Sequence, residues 1–322
     1  MDMMNQMLAT GETQMDAREA KRVFSRIGFA AFAAMLSIQV VQTVLVLLCT
    51  SLAPELTYSP WYTWLLMGIS TFLVGYPLFF LITKSLPSYP AAQPRFAPPG
   101  KFFKTLVISF GAMYLFNYIS LALVALVGLL KGGDVSNPLV DMTSTGSPLA
   151  TFLFGCVGAP ITEELVFRKR IIDKMRPFGD KVCIFASAFV FGLFHGNLSQ
   201  MFYAFALGAI FAYITLKTGS CRTSMVLHFV VNFFGTTLMP GLLNWSMSAS
   251  EEMMLLVSGL AGLFILAMIV LSLVFFFTSL KKLTFDPPAV GVSGLFGKLF
   301  ANPGMICYMV VCLLCVAAVT ML

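Results

Sequence analysis

Long apolar stretches separated by short polar segments are the feature that most restricts how this chain can fold. Of 322 residues, 58% are hydrophobic and only 11% are charged, whereas roughly a quarter of the residues of a soluble domain are charged. In lipid, only helices and closed barrels satisfy their backbone groups, and a helix needs about 20 apolar residues to cross. The length of the apolar runs favours helices. The sequence therefore predicts an all-α, polytopic transmembrane helical bundle.

Proline, glycine and charged residues divide the apolar sequence into about eight or nine spans. The first run is too long for the apolar region of a signal peptide, so we interpret it as a retained span. The predicted spans lie near 27–50, 61–83, 105–130, 149–172, 182–197, 199–216, 223–239, 253–279 and 304–321.

The distribution of Lys and Arg indicates how the spans are oriented, because cytoplasmic loops contain an excess of these residues. The cationic segments are 18–26, 84–104, 169–181, 217–222 and 281–298. We therefore expect a multi-pass protein of a cell membrane with a cytoplasmic N-terminus and, with nine spans, an outer C-terminus. The short chain and its many Met and Phe residues favour a bacterial plasma membrane. Because the net charge of +6 is spread over these segments, no nucleic-acid partner is expected.

The fourth span contains charged residues that are costly in an apolar helix. A charge at the bilayer centre costs about 2.5 to 3.5 kcal/mol on insertion scales, yet Glu163 and Glu164 occur side by side. Arg168 is four residues after Glu164, so these two can pair on one helix face. Glu163 is rotated by about 100° from Glu164, which leaves it available as a general base. The alternative is that both glutamates mark the cytoplasmic end of the span.

The two histidines of the chain, His195 and His228, both fall inside predicted spans. Phe191 is one helical turn before His195 and Asn232 is one turn after His228, so each pair shares a helix face. A hydrogen bond between helices would explain either histidine alone. Together with Glu163, however, they can converge in one cavity from three neighbouring polar spans. That convergence predicts a hydrolytic site.

Such a site could hydrolyse an amide without a covalent intermediate. Glu163 and His195 could orient and deprotonate a water, and His228 and Asn232 could donate hydrogen bonds to the oxyanion. Counted at about 1.5 Å per residue, His195 lies about 20 Å along its span from residue 182, whereas Glu163 and His228 are about 9 Å from the nearest cytoplasmic charges. The fifth span is therefore expected to tilt or to begin deeper.

The three motifs, in this order, resemble those of the CAAX protease and bacteriocin-processing family, also called the Abi or type II CAAX prenyl endopeptidase family. The matched region is about 148–240, under a third of the chain. The motifs are Glu-Glu-x-x-x-Arg at Glu163, Glu164 and Arg168, Phe-x-x-x-His at Phe191 and His195, and His-x-x-x-Asn at His228 and Asn232.

The resemblance implies an intramembrane endopeptidase whose site opens towards the cytoplasmic side. Glu163 and His195 would activate water, and His228 with Asn232 would form the oxyanion hole. Glu164, Arg168 and Phe191 would support the helix arrangement. With the spans above, we expect a cytoplasmic tail over 1–26, N-terminal transmembrane helices over 27–147, a catalytic core like that of this family over 148–240 and C-terminal transmembrane helices over 241–322.

A zinc-dependent version of the same hydrolysis is open, because Glu163, His195 and His228 would make a His₂Glu ligand set. We favour a mechanism without a cofactor, since the sequence has no His-Glu-x-x-His helix. A proton-coupled transporter and a non-catalytic immunity or scaffold protein of the membrane are also open. The expected partners are the lipid bilayer and a membrane-anchored or lipidated substrate, such as a prenylated protein or a bacteriocin-like or signal-peptide-like precursor.

Overall fold

A computed structural model describes residues 15–321, and within that range the protein has eleven helices and no strand. Eight of these helices are long and apolar enough to cross a membrane. The protein is therefore an all-α, multi-pass membrane protein, as the sequence predicted. The helices are α1 Ala17–Leu52, α2 Tyr62–Ile82, α3 Pro99–Lys131, α4 Pro138–Thr145, α5 Pro148–Phe178, α6 Asp180–Phe194, α7 Leu198–Thr218, α8 Arg222–Ala249, α9 Glu251–Lys282, α10 Leu295–Phe300 and α11 Pro303–Met321.

Helix α1 begins ten residues before the predicted first span because a capping box starts it. The Asp16 carboxylate accepts a hydrogen bond of 2.7 Å from the Glu19 backbone N–H, and the Glu19 carboxylate accepts one of 3.3 Å from the Asp16 N–H. This arrangement satisfies free donors at the helix start. Residues 1–14 of the expected tail lie outside the described residues.

Helices α6 and α8 also depart from the predicted spans. Helix α6 has 15 residues and is not among the eight that are long enough to cross. The predicted seventh span ended at 239, but α8 continues to Ala249 through Pro240. Proline is tolerated there because Pro240 occupies the first turn of a regular segment that follows a π-helical one. The expected loop after 239 is thus helical.

Four π-helical segments interrupt the long helices, and they surround the polar motifs. They are Gly68–Gly75 in α2, Thr151–Gly158 and Glu164–Arg170 in α5, and Phe233–Leu238 in α8. The first segment of α5 packs against that of α8, where the Cys156 thiol lies 3.2 Å and 3.4 Å from two threonine hydroxyls. Such segments are rare and are often found at functional sites.

The buried apolar residues form two clusters. The first apolar cluster joins α1, α2, α5, α6, α7, α10 and α11, with Phe24 and Phe178 at a ring distance of 4.6 Å. The second apolar cluster joins α3, α7 and α8, with Phe110 and Phe234 at 5.1 Å. Tyr203 of α7 packs against both clusters. The motif-bearing helices lie where the two clusters meet.

Three cationic side chains hold the end of α2 in place. Backbone carbonyls of its last turns and of the segment that follows accept hydrogen bonds of 2.6–3.0 Å from Arg26, Arg170 and Lys174. Carbonyls at a helix C-terminus have no partner within the helix, and cations there also complement the helix dipole. These contacts connect α1, α2 and α5 at one level of the bundle.

Helices α1 and α11 approach each other so closely that only glycine fits at the crossing. A Cβ atom at Gly304 would lie 1.8 Å from the Ser25 carbonyl oxygen, and one at Gly28 would lie 2.3 Å from the Met305 nitrogen. Small residues at such crossings allow helix backbones to pack closely in lipid.

We expect Gly304→Ala to lower the free energy of unfolding by about 1–3 kcal/mol, because the added methyl group forces packed helices apart. Thermal unfolding in detergent or lipid would measure the effect. The control is Gly262→Ala in α9, where a Cβ meets nothing within 4 Å. Equal melting temperatures of the two variants would contradict the close crossing.

Candidate functional site

The α5–α6 hairpin brings the first glutamate and the first histidine to the same level. Its turn is Gly179, with φ +84°, and Glu163 precedes this glycine by 16 residues while His195 follows it by 16. The expected depth of Glu163, which was less than that of His195, was counted from Lys169 as if the fourth span ended near that residue. Helix α5 instead continues to Phe178. The longer helix removes the discrepancy without any tilt of α6.

Arg168 is a fully buried cation at the centre of the site. Its side chain and that of Glu164 are both 0% exposed, and Arg168 Nη1 lies 3.3 Å from Glu164 Oε1, so the pair expected from the spacing is present. The guanidinium carbon lies 4.0 Å from the centre of the Phe191 ring and 5.6 Å from that of Phe211. A desolvated cation over an aromatic face is stabilised by about 2 kcal/mol or more.

His228 lies between the two glutamates. Its Nδ1 is 3.0 Å from Glu164 Oε1, and its Nε2 is 3.7 Å from Glu163 Oε2. Because a carboxylate only accepts hydrogen bonds, Nδ1 is the donor to Glu164. The imidazole is thereby oriented with Nε2 towards Glu163, whose side chain is 17% exposed and so more accessible than Glu164.

His195 is oriented by its own helix and not by a glutamate. Its Nδ1 is 3.0 Å from the Phe191 carbonyl oxygen, which can only accept, so in the neutral ring Nδ1 donates and Nε2 has a free lone pair. The Phe191 ring lies 4.9 Å from the His195 ring and 5.9 Å from that of His228. In the described part of the chain no hydrogen bond joins His195 to Glu163. Glu163, which was expected to act together with His195, instead lies close to His228.

A short turn fixes the backbone of His195. Gly196 follows with φ +62°, and the Asn197 amide donates to the His195 carbonyl oxygen at 2.8 Å. Asn197 also caps α7, since its side-chain oxygen accepts from the Gln200 backbone N–H at 2.9 Å. The end of α6 therefore has a defined conformation.

Asn232 extends from α8 to α5. Its Nδ2 donates to the Gly155 carbonyl oxygen at 2.9 Å, and a side-chain amide has a second N–H that this bond does not use. Gly155 lies in the π-helical segment of α5. The amide is therefore anchored on one side of the site.

Two aromatic residues at the site were missed by the sequence analysis. Phe211 of α7 contacts Arg168, and its ring lies 5.4 Å from that of His228. Tyr76 of α2 packs edge-to-face against Phe167, the neighbour of Arg168 in sequence, with ring centres 6.1 Å apart. Neither belongs to a spaced motif. The one available signal was a tyrosine hydroxyl within an apolar run, which needs a polar partner.

The proposed zinc ligands do not form a metal site in this arrangement. Among residues 15–321, no group of three or more His, Cys, Asp and Glu side chains is arranged to hold a metal ion. The Phe191 ring packs against both His195 and His228, and Nδ1 of His228 donates to Glu164. The absence of a cofactor stays a prediction.

We expect Arg168→Leu to destabilise the fold by about 3–5 kcal/mol, because removing one member of a buried ion pair leaves the other charge uncompensated. Denaturation in mixed micelles would measure this loss. The control is Lys169→Ala, since Lys169 is 55% exposed and pairs with Asp173 near the surface, where such pairs contribute about 1 kcal/mol or less. An equally stable Arg168→Leu variant would contradict a dependence of the fold on the buried charge.

Comparison with known proteins gives one match, and it covers all three motifs. Residues 145–234 match the family described as type II CAAX prenyl endopeptidase Rce1-like. Searches of curated proteins and of solved structures found no match. The family match supports a CAAX-type intramembrane protease that acts on a membrane-associated substrate. It confirms the resemblance to the CAAX protease family that the motifs predicted, over residues 145–234.

Proposed function

We propose that the protein is an intramembrane endopeptidase in which Glu163 and His195 activate a water that attacks a peptide carbonyl. The observation that supports this proposal is the unequal environment of the two glutamates. Arg168 pairs with the fully buried Glu164, whereas the side chain of Glu163 is 17% exposed and has no arginine at ion-pair distance in the described residues. Glu163 is therefore the carboxylate that a water and a substrate can reach.

The reaction follows from the donors and acceptors at the site. The water oxygen attacks the carbonyl carbon while its proton passes to Glu163, and the Nε2 lone pair of His195 can accept the second water hydrogen and orient the oxygen. The tetrahedral intermediate then collapses with cleavage of the C–N bond, and the proton held by Glu163 passes to the leaving amine. The protein forms no covalent bond with the substrate.

His228 and Asn232 are proposed to stabilise the oxyanion. Asn232 has an unused amide N–H, and His228 can donate from Nε2 when its ring is protonated. The two carboxylates and one guanidinium leave a net negative charge that an imidazolium would neutralise. The bond from Nδ1 to Glu164 fixes the orientation of this ring.

The proposed substrate is a protein or peptide that is itself held in the bilayer. All four proposed catalytic residues lie in or at the ends of helices that pack within the apolar bundle. A substrate anchored in the membrane is concentrated at such a site, whereas a soluble peptide has to leave water to enter it.

We expect both Glu163→Ala and Glu163→Gln to reduce peptide cleavage by about 100-fold or more, because each removes the general base. Cleavage of a fluorogenic membrane peptide by purified protein in lipid would measure this, with and without a strong zinc chelator. Glu252→Gln, at an exposed position in α9, is the control.

Loss in both Glu163 variants with no effect of the chelator would support the metal-free mechanism. Activity lost on chelation and restored by zinc would replace it with metal-dependent hydrolysis. Full activity of Glu163→Gln would rule out Glu163 as the base. If no membrane peptide is cleaved by the wild type, a non-catalytic role becomes the better explanation.

A second prediction concerns the substrate. We expect a peptide with a membrane anchor or lipid group to be cleaved at least tenfold more efficiently, in kcat/KM, than the same peptide without it, an energy difference of about 1.4 kcal/mol or more. Matched peptides that differ only in the anchor would provide the comparison in liposomes. Equal efficiency for both peptides would contradict access from the bilayer.

A further inference from the structure

We propose that Asn197 is a positioning residue that holds the His195 ring with its Nε2 lone pair available to the attacking water. This inference rests on the proposed function of His195. Asn197 belongs to none of the three motifs, and it lies in the turn between α6 and α7 as the N-cap of α7. The start of α7 would therefore supply a part of the site that the motifs do not contain.

The carbonyl group of His195 needs a donor because α6 ends far from either membrane surface. Carbonyls in the last turn of a helix have no partner within the helix. Counted from its charged start at Asp180, this helix of 15 residues is about 22 Å long, shorter than a hydrocarbon core of about 30 Å, where water is scarce. The Asn197 amide supplies the donor, with Nδ2 2.8 Å from the His195 oxygen.

The Asn197 side chain is itself held by three hydrogen bonds. The residue is 3% exposed. Besides the bond to His195, its Nδ2 donates to Gln200 Oε1 at 2.8 Å, and its Oδ1 accepts from the Gln200 backbone N–H at 2.9 Å. Gln200 in turn donates to the Tyr203 hydroxyl at 3.0 Å, and Tyr203 packs against both apolar clusters. Asn197 therefore connects the end of α6 to a fixed part of α7.

The orientation of the His195 ring depends on this anchored backbone. The rotamers open to a side chain depend on the φ and ψ angles of its residue, and helix ends fray when nothing holds them. The Gly196 N–H donates to the Leu193 carbonyl at 3.0 Å, and Asn197 holds the carbonyl on the other side of His195. In this conformation Nδ1 reaches the Phe191 carbonyl at 3.0 Å, which leaves the Nε2 lone pair free.

Asparagine combines two abilities that this position uses. Serine, aspartate and asparagine are all preferred N-caps, because each has an oxygen that accepts from a helix N–H. Of these three, only asparagine also has two amide N–H donors, and here one serves Gln200 and the other His195. The bond to His195 can therefore be separated from the cap of α7 by substitution.

The variants Asn197→Ser and Asn197→Asp test the proposal because each keeps an oxygen that can cap α7 and removes the amide that binds His195. We expect kcat to fall about tenfold, the effect of losing one hydrogen bond, with KM changed less than about twofold because no substrate contact is lost. The matched control is Ser250→Ala, which removes the exposed cap of α9 and should leave kcat unchanged.

Nitrogen-15 NMR of the histidine rings provides a readout that a loss of stability alone would not move. The chain has two histidines, so His195→Gln assigns the signals. We expect the neutral His195 ring of the wild type to carry its proton on Nδ1. Both Asn197 variants should shift the ring towards the tautomer with the proton on Nε2, which cannot accept a hydrogen bond there. Ser250→Ala should leave the signals unchanged.

An unchanged tautomer in the Asn197 variants, or an unchanged kcat, would overturn the proposal. If one of the two variants fails to fold, the other decides. If the wild type cleaves no membrane peptide, the proposed function fails, while the NMR signals still decide whether Asn197 holds the His195 ring.

Discussion

The buried guanidinium of Arg168 is the interaction on which the site and its surroundings depend. It contacts Phe191 of the first apolar cluster and Phe211 of the second, and it pairs with Glu164, which in turn binds His228. A charge removed from water is tolerated only when it is paired and its surroundings are fixed. The requirement to keep this charge compensated therefore holds α5, α6, α7 and α8 in one arrangement. The contacts that stabilise these helices are thus the same ones that position the side chains of the site.

The helical rotation between adjacent residues gives the two glutamates different environments. Glu164 is fully buried with Arg168, whereas the side chain of Glu163 is partly exposed and lies beside His228. One carboxylate compensates the buried cation and the other is accessible. Two consecutive glutamates followed by one arginine a turn later therefore provide two different roles. Glu164 compensates the buried charge of Arg168, and Glu163 is available for the proposed chemistry.

The sequence predicted the class of fold and the Glu164–Arg168 ion pair, because hydropathy and helical spacing are local properties. The Glu164–Arg168 pair follows from a spacing of four residues. The contacts of Phe211 and Tyr76 could not be predicted, because they depend on how distant helices pack. The predicted fourth span is also shorter than α5, since Arg170 and Lys174 have the charge typical of a span end although they bind backbone carbonyls at the end of α2. Whether a cation contacts lipid headgroups or protein is decided by tertiary structure.

The glycine crossing of α1 and α11 has a consequence for synthesis of the protein. The 250 residues between Leu52 and Pro303 must be made before the two helices can meet. During that interval the surface around Gly28 has no partner, and the Val190 carbonyl in α6 lacks the Tyr308 hydroxyl that donates to it in the finished bundle. The core around the candidate site can therefore close only late in biogenesis. Until α11 is inserted, the face of α1 around Gly28 and the Val190 carbonyl of α6 lack the contacts that α11 makes in the complete bundle.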